Sequence, residues 1–177
     1  MEMRIGRGGE PSRQEIAEAC SDPRIRTTQF LNFQCVHGLG HGLMMNRLVR
    51  SAEPGINDVK FALSECDYLA DGWSRESCYG GVFMEHVVAA TTPPLHYPKQ
   101  PSFRPDDLNY PCDEVDERYQ RECYVMQASV MLNLTGRDYT KSFAACAAVP
   151  NAGLAFACYS SLGREASGEA IGADARI

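Results

Sequence analysis

Eight cysteines in four close pairs constrain this chain more than any other feature: Cys20 and Cys35, Cys66 and Cys78, Cys112 and Cys123, Cys146 and Cys158. The steps within the pairs are 15, 12, 11 and 12 residues. The second cysteine is followed by tyrosine in the last three pairs (Tyr79, Tyr124, Tyr159) and by Val36 in the first. The segments CDYLADGWSRESCYGG, CDEVDERYQRECYVMQ and CAAVPNAGLAFACYSS align almost without gaps. Self-similarity at a period of roughly 35–45 residues marks a repeat array.

Each unit reads as two helices. Ser12-Arg13-Gln14-Glu15 is a capping box that opens a first helix running to about Cys20. Pro23 breaks the chain, and a longer helix follows from about Thr28 to Val49. In the second unit Pro54-Gly55 forms a turn, and Asn57 is the expected N-cap of a helix ending near Asp71-Gly72. Ser74 is the expected cap of the next helix, which Pro93-Pro94 ends. The third unit predicts a short helix after Pro111, then one continuous helix through DERYQRECYVMQASVMLNL, stopped by Gly136. The fourth predicts helices over 139–149 and 153–167 around a Pro150-Asn151 turn. The expected fold class is therefore all-α. Four tandem helical hairpins, about 12–50, 56–91, 111–135 and 138–168, make a single domain over 1–177, with a Pro-rich loop at 92–111.

Cys66 lies about one turn before the end of its helix, and Cys78 about one turn after the start of the next. In an antiparallel hairpin those positions face each other within disulfide reach. Closing loops of this size stabilises each unit by roughly 3 kcal/mol in the chain-entropy model. Zinc thiolates are the rival reading, but no Cys-x-x-Cys occurs and these spacings suit a zinc ribbon poorly. Free buried thiols are the third.

Stapled helical hairpins in tandem resemble the cysteine-rich Sel1-like relatives of the tetratricopeptide arrays. The resemblance rests on cysteine spacing and covers most of the chain. It implies a short curved solenoid with the second helices lining one face. The Ala/Gly/Tyr signature of a Sel1 repeat is absent, so the resemblance carries over no functional residue.

Net charge is −6, with no basic stripe, which argues against a nucleic-acid partner. No apolar run approaches the roughly 20 residues that a transmembrane helix needs. The N-terminus, MEMRIGRGGEPS, has no apolar h-region, so no signal peptide is visible. Disulfides belong to oxidising compartments. The two observations together lead us to expect a periplasmic or secreted chain that is a fragment or trimmed form of a longer one; the alternative is reduced cysteines in a cytosol.

The most unusual stretch is Cys35-Val36-His37-Gly38-Leu39-Gly40-His41-Gly42. His37 and His41 stand four apart on a predicted helix, so both rings leave one face, a common way to hold a metal ion. Three glycines within five residues cost a helix about 1 kcal/mol each. Close approach of another helix or of a ligand would offset that cost. Counted from the second cysteine, His41 aligns with Met84 and Arg164, and Gly42 with Glu85 and Glu165. If second helices stack, Glu85 comes close to His41. A buried carboxylate needs a partner. His37, His41 and Glu85 then form a two-histidine, one-carboxylate set suited to zinc, iron or copper. The alternatives are core histidines bonded to backbone, and Glu85 paired with Arg164 or with a protonated histidine. His86 is the weaker candidate and is read as exposed.

Gln127 and Arg164 are the candidate ligand-binding residues outside this cluster. Gln127 would orient a ligand or bond to a tyrosine; Arg164 would bind an anion or form a surface ion pair. His96, Tyr97, Asp106, Asp107 and Tyr110 lie in the Pro-rich loop, which reads as a lid over the histidines or as a plain connector. Met44, Met45, Met84, Met126 and Met131 would fit copper, but methionines at helical spacing are more often core filler. Asn133-Leu134-Thr135 is a glycosylation sequon. Three functions follow: a metal-binding protein or metalloenzyme centred on His37, His41 and Glu85; a non-catalytic repeat module that binds a protein or peptide; and a structural domain of a larger secreted protein. The residues name no substrate, reaction or partner.

Overall fold

The structure, a computed structural model, describes residues 9–92, 101 and 103–174. Among the described residues it is all-helical, with eight α-helices, a single 3-10 turn and no strand. All four disulfides join the expected pairs, with Cα atoms 5.9, 5.8, 5.4 and 5.5 Å apart along the chain. The chain divides into two compact units, residues 1–102 and 103–177.

In the first unit, α1 (Arg13–Glu18) opens with the expected capping box. The Glu15 N–H donates to Ser12 Oγ at 3.2 Å, and the Ser12 N–H donates to Glu15 Oε2 at 2.8 Å. After Pro23 and the 3-10 turn at Ile25–Thr27, the Thr28 hydroxyl caps the Leu31 N–H at 3.1 Å and starts α2 (Gln29–Arg50). Its inward face is Val36, Leu39, Gly40, Leu43, Met44 and Leu48, the three-and-four spacing of a helix laid on a core. The N-cap of α3 (Ile56–Cys66) is Gly55, not Asn57. Asp58 decides this: its carboxylate accepts the Gly55 N–H at 3.1 Å and the Ser51 hydroxyl at 3.0 Å. The helix also ends earlier than expected, at Cys66, with Tyr68 and Leu69 already in the turn. Asp71, not Ser74, caps α4 (Gly72–Thr91), accepting the Ser74 N–H at 2.8 Å.

Buried Val59, Ala62 and Leu63 of α3 join Val82, Phe83 and Ala89 of α4 in this unit's core. At one point α2 and α4 touch backbone to backbone. A Cβ built on Gly40 would stand 2.1 Å from the Cys78 carbonyl oxygen, and one on Gly81 would stand 2.0 Å from the His37 carbonyl oxygen. Of the glycines whose cost was seen in the sequence, Gly40 is thus offset by helix contact, with Gly81 facing it on α4. Gly38 faces open space.

Glu65 on α3 is only 7% exposed. Burial, reinforced by the charge of Glu10 and opposed by Arg47, pushes its carboxyl up to about 7. The folded state therefore holds this proton more tightly than the unfolded chain, so stability falls as pH rises from the ordinary glutamate range to about 7 and then levels off. We expect the melting temperature to drop across that window. Glu65→Gln should flatten the drop and gain about 1–3 kcal/mol near pH 8, each tenfold change in acid strength being worth about 1.4 kcal/mol. Melting curves of the two proteins at about pH 5 and pH 8 check this; identical pH dependence would refute it.

In the second unit, residues 108–114 are turns, not the expected short helix. Pro111 offers no N–H, and Asp107 and Asn109 hold the chain in turns: the Asn109 N–H donates to Asp107 Oδ1 at 3.2 Å, and the Cys112 N–H to the Asn109 carbonyl at 2.7 Å. The expected long helix is split at Gln127 into α5 (Glu117–Met126) and α6 (Ala128–Leu134). Side chains compete there for the backbone. The Val125 carbonyl accepts from Ser161 Oγ at 2.8 Å and from Arg164 at 2.6 Å. Gly136, at φ +63°, ends α6 in the left-handed region, as glycine permits. Asp138 caps α7 (Tyr139–Ala147), and α8 (Ala152–Asp174) runs beyond the expected end at 167.

Candidate functional site

The glycine crossing builds the site. His37 lies three residues before Gly40, and Met84 and Glu85 lie three and four residues after Gly81. With two backbones in contact, side chains one turn from the crossing meet. The His41 Nδ1 lies 2.6 Å from Glu85 Oε2, with the two side chains 26% and 10% exposed. The His37 Nδ1 lies 3.1 Å from the Ser77 carbonyl oxygen, and its Nε2 lies 3.5 Å from Met84 Sδ. The His37 and His41 rings stand edge to face with centroids 5.0 Å apart. Phe33, one turn before His37, stacks on its ring at 5.0 Å and 22°, and Trp73 approaches Phe33 at 6.4 Å.

These contacts assign the protons. A backbone carbonyl only accepts, so His37 Nδ1 carries hydrogen and Nε2 carries the lone pair. Burial pushes the His37 imidazole below the ordinary histidine value; the Ser77 carbonyl opposes the shift and the nearby His41 adds to it. The neutral ring is therefore the favoured form. Against the Glu85 carboxylate, His41 Nδ1 likewise donates, and in the neutral ring the lone pair is then on Nε2.

The structure brings Glu85 to His41, as the repeat register suggests, but the carboxylate addresses Nδ1. It acts on the orientation of the ring. Among the described residues no three His, Cys, Asp or Glu side chains gather as metal ligands. His86 is buried, at 1% exposure, where an exposed ring was expected. The reason is that α4 is covered on nearly every side, and desolvation holds this imidazole neutral, down to about 4.

Gln127 and Arg164 both lie in the second unit. Gln127 is 1% exposed, and its Nε2 donates to the carbonyls of Leu108 at 2.9 Å and Tyr110 at 2.7 Å. Besides the Val125 carbonyl, Arg164 approaches Ser161 Oγ at 3.2 Å. Both tie neighbouring segments of their own unit together. The reading of His96 and Tyr97 as parts of a lid falls outside the described residues, while Asp106, Asp107 and Tyr110 belong to the turns before Cys112.

Sequence reasoning weighs Met84 for copper but groups it with core filler, and it passes over Phe33. Met84 is 42% exposed and sits beside His37, whereas Met44 and Met131 are fully buried as core filler. The register that aligns Met84 with His41 was the available signal. Phe33 could have been found as the residue four before His37. Among the described residues no helix is long and apolar enough to cross a membrane. Comparison with protein-family models, with curated proteins and with solved structures finds no match to this chain.

Proposed function

We propose that the first unit is a metal-binding module of an extracytoplasmic protein, with Nε2 of His37 and Nε2 of His41 as ligands. The observation that carries this reading is the pair of Nδ1 contacts. Each imidazole has its Nδ1 engaged by an acceptor, Ser77 carbonyl for one and Glu85 for the other. Metal-bound histidines are typically oriented this way, through a carbonyl or carboxylate on the far nitrogen. Glu85 is then the group that fixes the His41 ring. The four disulfides support an oxidising compartment. The recurring cysteine spacing supports a stapled helical-repeat array as the parent architecture.

Calorimetric titration of the disulfide-bonded protein, purified without a histidine tag, with zinc(II) tests this. We expect saturable binding that His41→Ala abolishes without loss of the helical spectrum. Glu85→Gln should weaken it roughly 10–100-fold, as expected of an orienting partner. No binding by the parent protein, or equal binding by His41→Ala, would refute the metal reading. A protein- or peptide-binding module is the second reading, favoured by exposed Phe30 (66%), Phe33 (36%) and Trp73 (36%) on the same unit.

A further inference from the structure

We propose that the site in the first unit is built for copper(I), with the Met84 thioether as third ligand beside the His37 and His41 imidazoles; this rests on the two-imidazole reading above. The contact between His37 Nε2 and Met84 Sδ at 3.5 Å joins two atoms that both present lone pairs. Because the Ser77 carbonyl holds the proton on Nδ1, the contact is no hydrogen bond in the neutral ring. A cation between them would make it favourable. An imidazole nitrogen about 2.0 Å and a sulfur about 2.3 Å from one ion, at an angle of about 110°, lie about 3.5 Å apart. The observed separation therefore matches the spacing of two ligands of one ion.

The donor set decides the class of ion. A thioether is a soft, uncharged ligand, and together with two neutral imidazoles it suits copper(I) better than zinc(II) or iron(II), which favour thiolate, imidazole or carboxylate donors. Glu85 reaches His41 through Nδ1, on the other side of that ring from Nε2. Uncharged ligands balance a monovalent ion better than a divalent one. Met84 is 42% exposed on an otherwise buried stretch of α4, so the site opens at the surface, where an ion can enter. Ordinary filler methionines in this chain, Met44 and Met131, are fully covered. Phe33, stacked on the outer side of His37, shields that ring and holds its plane.

The test compares the full-length, disulfide-bonded protein with Met84→Leu and His41→Ala. Copper(I) is delivered anaerobically in competition with a chromophoric copper(I) chelator, and zinc(II) is titrated separately. Met84→Leu keeps size and apolar character at an exposed position, so the fold is retained. We expect copper(I) affinity to fall by roughly tenfold or more in Met84→Leu while zinc(II) affinity is unchanged, because only the soft ion uses the thioether. His41→Ala should lose both metals. X-ray absorption of the copper(I) protein should show a sulfur neighbour that Met84→Leu lacks. Equal copper(I) affinity in Met84→Leu, no sulfur neighbour in the parent, or zinc(II) binding without copper(I) binding would overturn the thioether site and leave the two-imidazole site standing. Failure of the parent to bind either ion would overturn both.

Discussion

Valine at position 81 is expected to separate α2 from α4 and cost the first unit on the order of 3–5 kcal/mol, enough to unfold it at moderate temperature. The Cβ alone would stand 2.0 Å from the His37 carbonyl oxygen and 3.1 Å from the Gly40 Cα. Both obstacles are backbone, so no rotamer change relieves the clash and a whole helix must shift. Gly40→Val meets the mirror obstacle, the Cys78 carbonyl oxygen at 2.1 Å. Overpacking among mobile side chains typically costs about 1–3 kcal/mol; a rigid carbonyl puts these changes at the top of that range or beyond it. Gly38 supplies the control. Nothing lies within 4 Å of its built Cβ, so Gly38→Ala should gain up to about 1 kcal/mol from helix propensity. Denaturant unfolding of the three variants checks the ordering. A Gly81→Val protein as stable as its parent would show that α2 and α4 do not touch. The same variant should lose metal binding, because the crossing holds the two histidines against Met84 and Glu85.

Complete reduction of the disulfides is the second change of large expected effect. Loops of 15, 12, 11 and 12 residues are closed by the four bridges. Each contributes about 3 kcal/mol in the chain-entropy model. Together they approach the whole stability of an ordinary domain, about 5–15 kcal/mol. We expect the helical far-ultraviolet signal to collapse when all four are reduced, and replacing Cys66 and Cys78 by alanine to cost about 2–5 kcal/mol. The order of reduction is also set by burial. Cys66, Cys78, Cys112, Cys123, Cys146 and Cys158 are at most 1% exposed, whereas Cys20 is 5% exposed and Cys35 is only half-buried. Timed alkylation under mild reductant should label Cys20 and Cys35 first. An unchanged spectrum and melting temperature after full reduction would refute the stapling account.

Local chemistry was readable directly from the residues wherever a short-range signal acts alone. Ser12 and Glu15 form their capping box, α2 starts beside Thr28, Gly136 ends α6, and the four cysteine pairs close as their spacing suggests. The four-residue step from His37 to His41 put both rings on one face for the same reason: helical periodicity is a property of the chain itself. Competition between neighbours was harder to read. Asn57 and Asp58 both suit a helix start, and only the reach of Asp58 back to the Gly55 amide selects the register. Nothing in DERYQRECYVMQASVMLNL announces a break, because the break comes from Ser161 and Arg164, more than thirty residues away, taking the Val125 carbonyl.

The tertiary structure alone decided what the glycines and the buried polar groups do. Gly38 and Gly40 are alike in sequence, yet one faces space and the other a backbone carbonyl. Glu85 was legible as a partner for His41, but whether it meets a metal or the ring's Nδ1 depends on a rotation of the imidazole that no spacing encodes. Likewise Met84 and Met44 have the same side chain and opposite surroundings, one beside His37 at the surface and one enclosed. Helix type, caps and staples follow from forces acting within a few turns of chain. The orientation of a ring and the exposure of a thioether follow from which helix crosses which, and at what height.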